Sequence, residues 1–428
     1  MDLEPVRELL QRQVDDGTLP GFVAAVRHAG STEVLTGGTT VAGGDEPMRP
    51  DTLFRVASVT KPVAGALTLA LWEDGVLGLD DPVGDRLPEL AAPRVLRDRA
   101  GPLEDTVPAE RPITVRHLLT GTPGFGGLWD GSPLDRAIDE RAIGPGPWSP
   151  PVTPDEYLRR LGELPLAAQP GELWLYHMAA DVLGVLLARA TGRPVSELLA
   201  ERVTGPLGLT DTGFTAVDPS RLAPVHEATP DGLVPVAAPD AAVPPVFESL
   251  AAGLVASAPD VLAVLAALAD GGDPLLSPAS VAALTADALT PAQRARAADF
   301  LEPGVSWGLQ TGVCVEPAEP WTTPGRFGWD GGTGTSAWAD PARDVVAVLL
   351  TGRFASGPGD APREFWRPCT PASEPGCCRA ALTRPVPTAT LCRWRCCPSR
   401  PADAGCGTPA TGPARYAWPP TTRSACST

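Results

Sequence analysis

The chain has 428 residues, 43% of them hydrophobic and 20% charged, with a formal net charge of -17. Length and composition are those of a soluble globular protein with one large or two modest domains, and the acidic balance excludes a phosphate-binding surface, so nucleic acid is not an expected partner. No apolar run is long enough to span a bilayer, and the charged N-terminus lacks the apolar core of a secretory signal, so a cytoplasmic protein without a membrane partner is expected.

The N-terminal segment reads as an amphipathic helix over residues 3–14. Gly17 and Pro20 then lead into β-branched runs at 22–27 and 33–36, which read as paired strands. A long apolar helix starts near residue 58. Helical signals dominate the middle. Thr153-Pro154-Asp155-Glu156 has the form of a capping box with Pro at the first helical position, Gly271-Gly272 closes one helix, and Ser277-Pro278 opens the next. Strand patterns return at 306–313, 334–339 and 345–351. Strands at both chain ends around a helical middle predict an α+β fold. Its antiparallel sheet is flanked by helices and built from about 1–75 and 250–366, with a mainly helical subdomain at about 76–249.

Residues 367–428 differ from the rest. They hold eight of the nine cysteines, including the adjacent pairs Cys377-Cys378 and Cys396-Cys397, and show no hydrophobic period. Zinc-ligand spacing is missing, and adjacent cysteines in a cytoplasmic chain do not suit a disulfide framework. This Cys-, Arg- and Pro-rich tail reads as a disordered or frameshift-derived end.

Residue usage points to the chemistry. Of the 34 basic residues one is lysine, Lys61, and the chain has no asparagine. Where a plain positive charge suffices, such a chain uses Arg, so Lys61 asks for a reason. It lies three residues after Ser58, and residues at i and i+3 share one helix face. A serine hydroxyl needs a base before it becomes a nucleophile. Neutral Lys can serve; Arg cannot, because its guanidinium does not deprotonate. Ser58 is also expected to cap the helix that follows, with its own N–H aimed at a developing oxyanion.

The segments around this pair resemble a known family. FRVASVTKPVAGALTLALWEDGVLGLDDPV around Ser58, ITVRHLLTGTPGF at 113–125, PGELWLY at 170–176, GPLGLTDTGF at 205–214, GLVASAPD at 253–260 and GWDGGTGTSAWADPARDVVAVLLT at 328–351 are similar, in this order, to the serine β-lactamase and penicillin-binding-protein superfamily. The resemblance is closest to class C β-lactamases and their esterase relatives. It implies that Tyr176 shares proton transfer with Lys61, and that the Gly332 N–H is the second oxyanion donor beside that of Ser58. It also implies that Trp329, Asp330 and Gly331 line the substrate cleft as a strand.

Two departures bear on substrate. His177 and Met178 follow Tyr176 where the family has a Tyr-x-Asn pattern, and His177 is a candidate to replace the lost hydrogen bond. Trp329-Asp330-Gly331 stands where the family has Lys-Thr-Gly or His-Thr-Gly, so no cation awaits a substrate carboxylate and Asp330 would repel one. The expected enzyme is a serine hydrolase cleaving a small-molecule ester, amide or β-lactam through an acyl-enzyme on Ser58, carboxylesterase-like rather than β-lactamase or peptidase. The alternative is a catalytically silent binding protein or damaged product on the same fold. No cofactor is expected, and the four histidines show no metal spacing. Gly332-x-Gly334-x-x-Ala337 lacks the following helix that a dinucleotide fingerprint needs.

Overall fold

A computed structural model describes residues 1–355, Asp360, 363–367 and Cys369. The tail reading therefore lies outside the described residues, apart from Arg367 and Cys369. The sheet has seven antiparallel strands: β1 (Gly21–His28), β2 (Ser31–Gly38), β3 (Val305–Trp307), β4 (Gly312–Cys314), β5 (Phe327–Gly331), β6 (Thr335–Asp340) and β7 (Val345–Leu350), in the order β2-β1-β7-β6-β5-β4-β3. Both chain ends build it, as the strand patterns predict, with β1 paired to β7 from Val23↔Leu350 to His28↔Val345.

Local chemistry fixes the first hairpin. His28 pairs with Ser31, leaving a two-residue turn in which Ala29 and Gly30 take φ of 50° and 75°. Two successive left-handed residues match the twist of the flanking strands. Along β1 and β7 the side chains alternate between two cores. Val23, Ala25, Val346, Val348 and Leu350 join the larger core, whereas Phe22, Ala24, Ala347 and Leu349 join the smaller one. Helix α1 (Glu4–Asp15) covers the smaller core with Val6 and Leu10, beside Phe365 and Trp366. The larger core holds α2 (Thr60–Glu73) and the apolar side of α4 (Ala258–Ala269); helix α3 (Met178–Thr191) packs on α2.

Helix α2 is buried along almost its whole length, from Thr60 to Leu71. Each fully buried Leu there, such as Leu67 or Leu69, contributes roughly 1.5–3 kcal/mol. A Cβ on Gly65 would stand 2.3 Å from the Leu309 carbonyl oxygen. The helix therefore touches the backbone of the β3–β4 turn directly, and a Gly65→Ala change would force them apart.

Three sequence expectations change in detail. The run at 306–313 is not one strand but the hairpin β3–β4. Gln310 takes φ 65° at its turn, and its amide side chain donates to the Leu118 carbonyl at 2.7 Å. The helical middle carries two small antiparallel ribbons, Arg94–Leu96 with Thr106–Pro108 and His226–Thr229 with Gly232–Pro235. Thr153 does cap its helix, accepting from the Glu156 N–H, but the Glu156 carboxylate turns to Arg159 and Arg160 instead of completing the box. Among the described residues no helix is long and apolar enough to cross a membrane.

Candidate active site

Ser58 lies in a 3₁₀ turn, Ala57–Val59, immediately before α2. This corrects the capping expectation: Val59 is the N-cap, and no side chain caps the helix. The Ser58 hydroxyl is thereby left to other partners. The turn is held from two sides. The short strand Leu53–Arg55 pairs with Val255–Ser257, and the Thr333 and Thr335 hydroxyls donate to the Arg55 and Val56 carbonyls. Ala57 is forced to φ 45°, a conformation that costs about 1–3 kcal/mol for a residue with a Cβ. Gly331 at the end of β5 packs against this turn; a Cβ there would meet the Val56 carbonyl oxygen at 2.5 Å. The next residue, Gly332, accepts through its carbonyl from the Ala355 N–H at 2.9 Å.

One helical turn onward, Lys61 is 1% exposed, and its Nζ is 2.9 Å from Ser58 Oγ and 2.7 Å from the Ala251 carbonyl oxygen. The ammonium also sits 4.4 Å over the centre of the Tyr176 ring. Burial pulls its pKa down to about 7, against the opposing charge of Asp181. Burial disfavours the charged form, which is the condition for a lysine base.

Tyr176 closes the site. Its hydroxyl accepts from Trp329 Nε1 at 2.6 Å, and burial pushes its pKa up against hydrogen bonds with Ser58 and Trp329. The phenol therefore stays neutral and can donate or pass a proton. Trp329 is thus tied to the tyrosine. Asp330 is engaged elsewhere: its carboxylate accepts from Ser336 Oγ and from Trp338 Nε1 at 3.0 Å. Neighbouring strand residues point to opposite faces, so the expected repulsion of a substrate carboxylate gives way to a role within the sheet's other face.

His177 is buried, with φ 78°, at the N-cap of α3. Its Nε2 lies 3.7 Å from the Asp181 carboxylate, and burial, then Lys61, hold its pKa well below the usual range. The imidazole is neutral and packs edge-on against Tyr176.

Several residues around the site had no role expected from sequence. Trp129, Trp174, Phe300 and Trp307 surround Tyr176 with ring centroids 4.4–6.5 Å away. The indole N–H groups of Trp174 and Trp307 are buried with no hydrogen-bond partner among the described residues, and both rings line a small cavity with Lys61, Tyr176 and His177. Asp181, in the first turn of the mainly apolar α3, is 1% exposed and accepts from Ser249 Oγ at 2.6 Å. A lone carboxylate in an apolar helix was the available sequence signal for it. Among the described residues no group of His, Cys, Asp and Glu side chains is placed to hold a metal ion.

Known proteins share the sequence and the fold. A family model described as Beta-lactamase matches residues 6–367. An uncharacterised protein of Mycobacterium tuberculosis is 36% identical over 368 residues, which are 82% of this chain and 90% of that protein. Esterase EstB of Burkholderia gladioli is 35% identical over 360 residues, covering 79% of this chain and 87% of the esterase. The solved structure of EstCE1, described as a hydrolase with promiscuous acyltransferase activity, superposes with a TM-score of 0.71 at 26% identity, over 85% of this chain and 97% of EstCE1. This chain belongs to the Beta-lactamase family and has the fold of its esterase and acyltransferase members.

Proposed function

We propose that the chain is a serine hydrolase of the carboxylesterase kind, acting on uncharged esters through an acyl-enzyme on Ser58. The observation that carries the reading is the buried contact between Lys61 Nζ and Ser58 Oγ at 2.9 Å, made by the chain's single lysine. In its neutral form Lys61 takes the proton as Ser58 Oγ bonds to the ester carbonyl carbon. The N–H groups of Ser58 and Gly332 hold the oxyanion. The proton then passes by way of Tyr176 to the alkoxide as the ester C–O bond breaks. Water, deprotonated by the same groups, attacks the acyl-enzyme and releases the acid and free Ser58.

The surroundings favour neutral substrates. Trp329 stands where a cation would receive a substrate carboxylate, and the wall of Trp129, Trp174, Phe300 and Trp307 suits an apolar acyl or alcohol group. The unpartnered N–H groups of Trp174 and Trp307 offer hydrogen bonds to an oxygen of that group. Hydrolysis of a short-chain nitrophenyl ester, compared with a chromogenic cephalosporin, tests the reading. Ester turnover that exceeds cephalosporin turnover and vanishes in Ser58→Ala is expected. Faster cephalosporin cleavage would overturn the esterase assignment, and undiminished turnover in Ser58→Ala would overturn the nucleophile.

A further inference from the structure

The Lys61 amine has two fixed contacts, Ser58 Oγ and the Ala251 carbonyl. The second depends on a buried turn that no motif marks. Ser249 Oγ accepts from the Ala251 and Ala252 N–H groups at 3.2 and 3.1 Å, and the same hydroxyl donates to Asp181 at 2.6 Å. The Ala251 N–H also helps to lower the Asp181 pKa. A single carboxylate, fully withdrawn from water, thus fixes the peptide whose carbonyl receives the lysine.

We propose that Asp181 is a positioning residue for the Ser58–Lys61 pair: through Ser249 and Ala251 it holds the lysine amine so that its free lone pair faces the serine hydroxyl. This rests on the hydrolase reading above and adds a residue to it. A neutral amine has two N–H bonds and one lone pair. Once the Ala251 carbonyl engages an N–H, the tetrahedral nitrogen has few orientations left, and one of them points the lone pair at Ser58 Oγ. Displacements of about 1 Å in such contacts cost up to roughly 100-fold in rate.

The surroundings of Asp181 support this role. The carboxylate lies in the first turn of α3, where the helix dipole favours an anion. The other titratable groups facing the pair are His177, neutral at the helix start, Tyr157, whose hydroxyl is buried and neutral, and Tyr176, neutral over Lys61. None of these carries a compensating charge. Burial raises the Asp181 pKa while Lys61 and Ser249 lower it, and Asp181 in turn works against the loss of charge on Lys61.

Asp181→Asn and Ser249→Ala separate positioning from structural support, read as kcat, KM and the pH dependence of kcat/KM on a nitrophenyl ester, with thermal unfolding beside them. Asp181→Asn removes the charge that favours protonated Lys61, so the acid limb moves toward lower pH by about one unit. Its kcat falls by roughly 10–100-fold with KM changed far less. Ser249→Ala leaves the charge and loosens the turn, so kcat falls with the acid limb in place. A folded Asp181→Asn protein with an unmoved acid limb overturns the proposal. If that variant does not fold, Ser249→Ala decides: a lowered kcat supports the proposal and a wild-type kcat overturns it. Absence of Ser58-dependent turnover in the wild-type protein would instead defeat the hydrolase reading itself.

Discussion

Two buried cations lie on opposite faces of the same sheet, and they differ in what burial can do to them. Lys61 sits in the larger-core side beside Ser58, over the ring of Tyr176 at 4.4 Å. Arg326, just before β5, is held between Trp338 and Trp366, with its guanidinium carbon 4.3 and 4.5 Å from the two ring centres. Burial lowers the pKa of both. Only the lysine can respond by losing its proton; a guanidinium stays charged and becomes a fixed part of the wall. A chain that uses Arg for its other permanent cations has its single lysine at this buried place beside Ser58, where the proposed role needs the neutral form.

The comparison predicts unequal losses. Lys61→Arg keeps a cation beside Ser58 and removes the proposed base, so kcat/KM on an ester is predicted to fall by roughly 10²–10⁴-fold. Retention of more than a tenth of the activity would break the distinction between the two cations. In the wild-type enzyme the pH profile of kcat/KM carries the same information. As the proposed base Lys61 must be neutral to act, and its pKa is lowered to about 7, so activity is predicted to rise with pH through neutrality. Because the pKa of Tyr176 is raised, the tyrosine adds no alkaline fall in that range. A profile flat from pH 5 to 9, which spans the usual titration range of a lowered lysine, would exclude Lys61 as the titrating base. The smallest expected effect belongs to Arg326→Met. Losing two cation–ring contacts costs about 1–3 kcal/mol of stability, seen as a lower Tm. Activity per folded molecule stays near wild type, because Arg326 touches neither Ser58 nor Lys61.

The same contrast shows what a sequence can reveal. Ser58 and Lys61 were legible because they lie one helical turn apart and because lysine is singular. Tyr176 was legible from the family-like segment that ends on it. The α+β architecture followed from strand patterns at both chain ends. The Asp181–Ser249–Ala251 support was not, because it joins segments about seventy residues apart, and each of its members is ordinary by itself. The turn at Gln310 also escaped: a left-handed non-glycine residue is uncommon, and Gly308 and Gly312 on either side of it were read as part of one strand. Ser58 read as a helix cap because Ser before a helix is usually one; the tight turn held by Thr333 and Thr335 moved the cap to Val59. Asp330 read as a cleft residue because its segment resembles the family's cleft strand, while strand alternation and the Trp338 and Ser336 donors turn its carboxylate the other way.

The central claim is that Ser58 is the nucleophile. A fluorophosphonate probe, followed by digestion and mass spectrometry, tests it most directly. The account predicts a single phosphonylated peptide with the mass addition on Ser58, absent in Ser58→Ala and formed far more slowly in Lys61→Arg. Labelling at another residue, or no labelling of the folded protein, would contradict it.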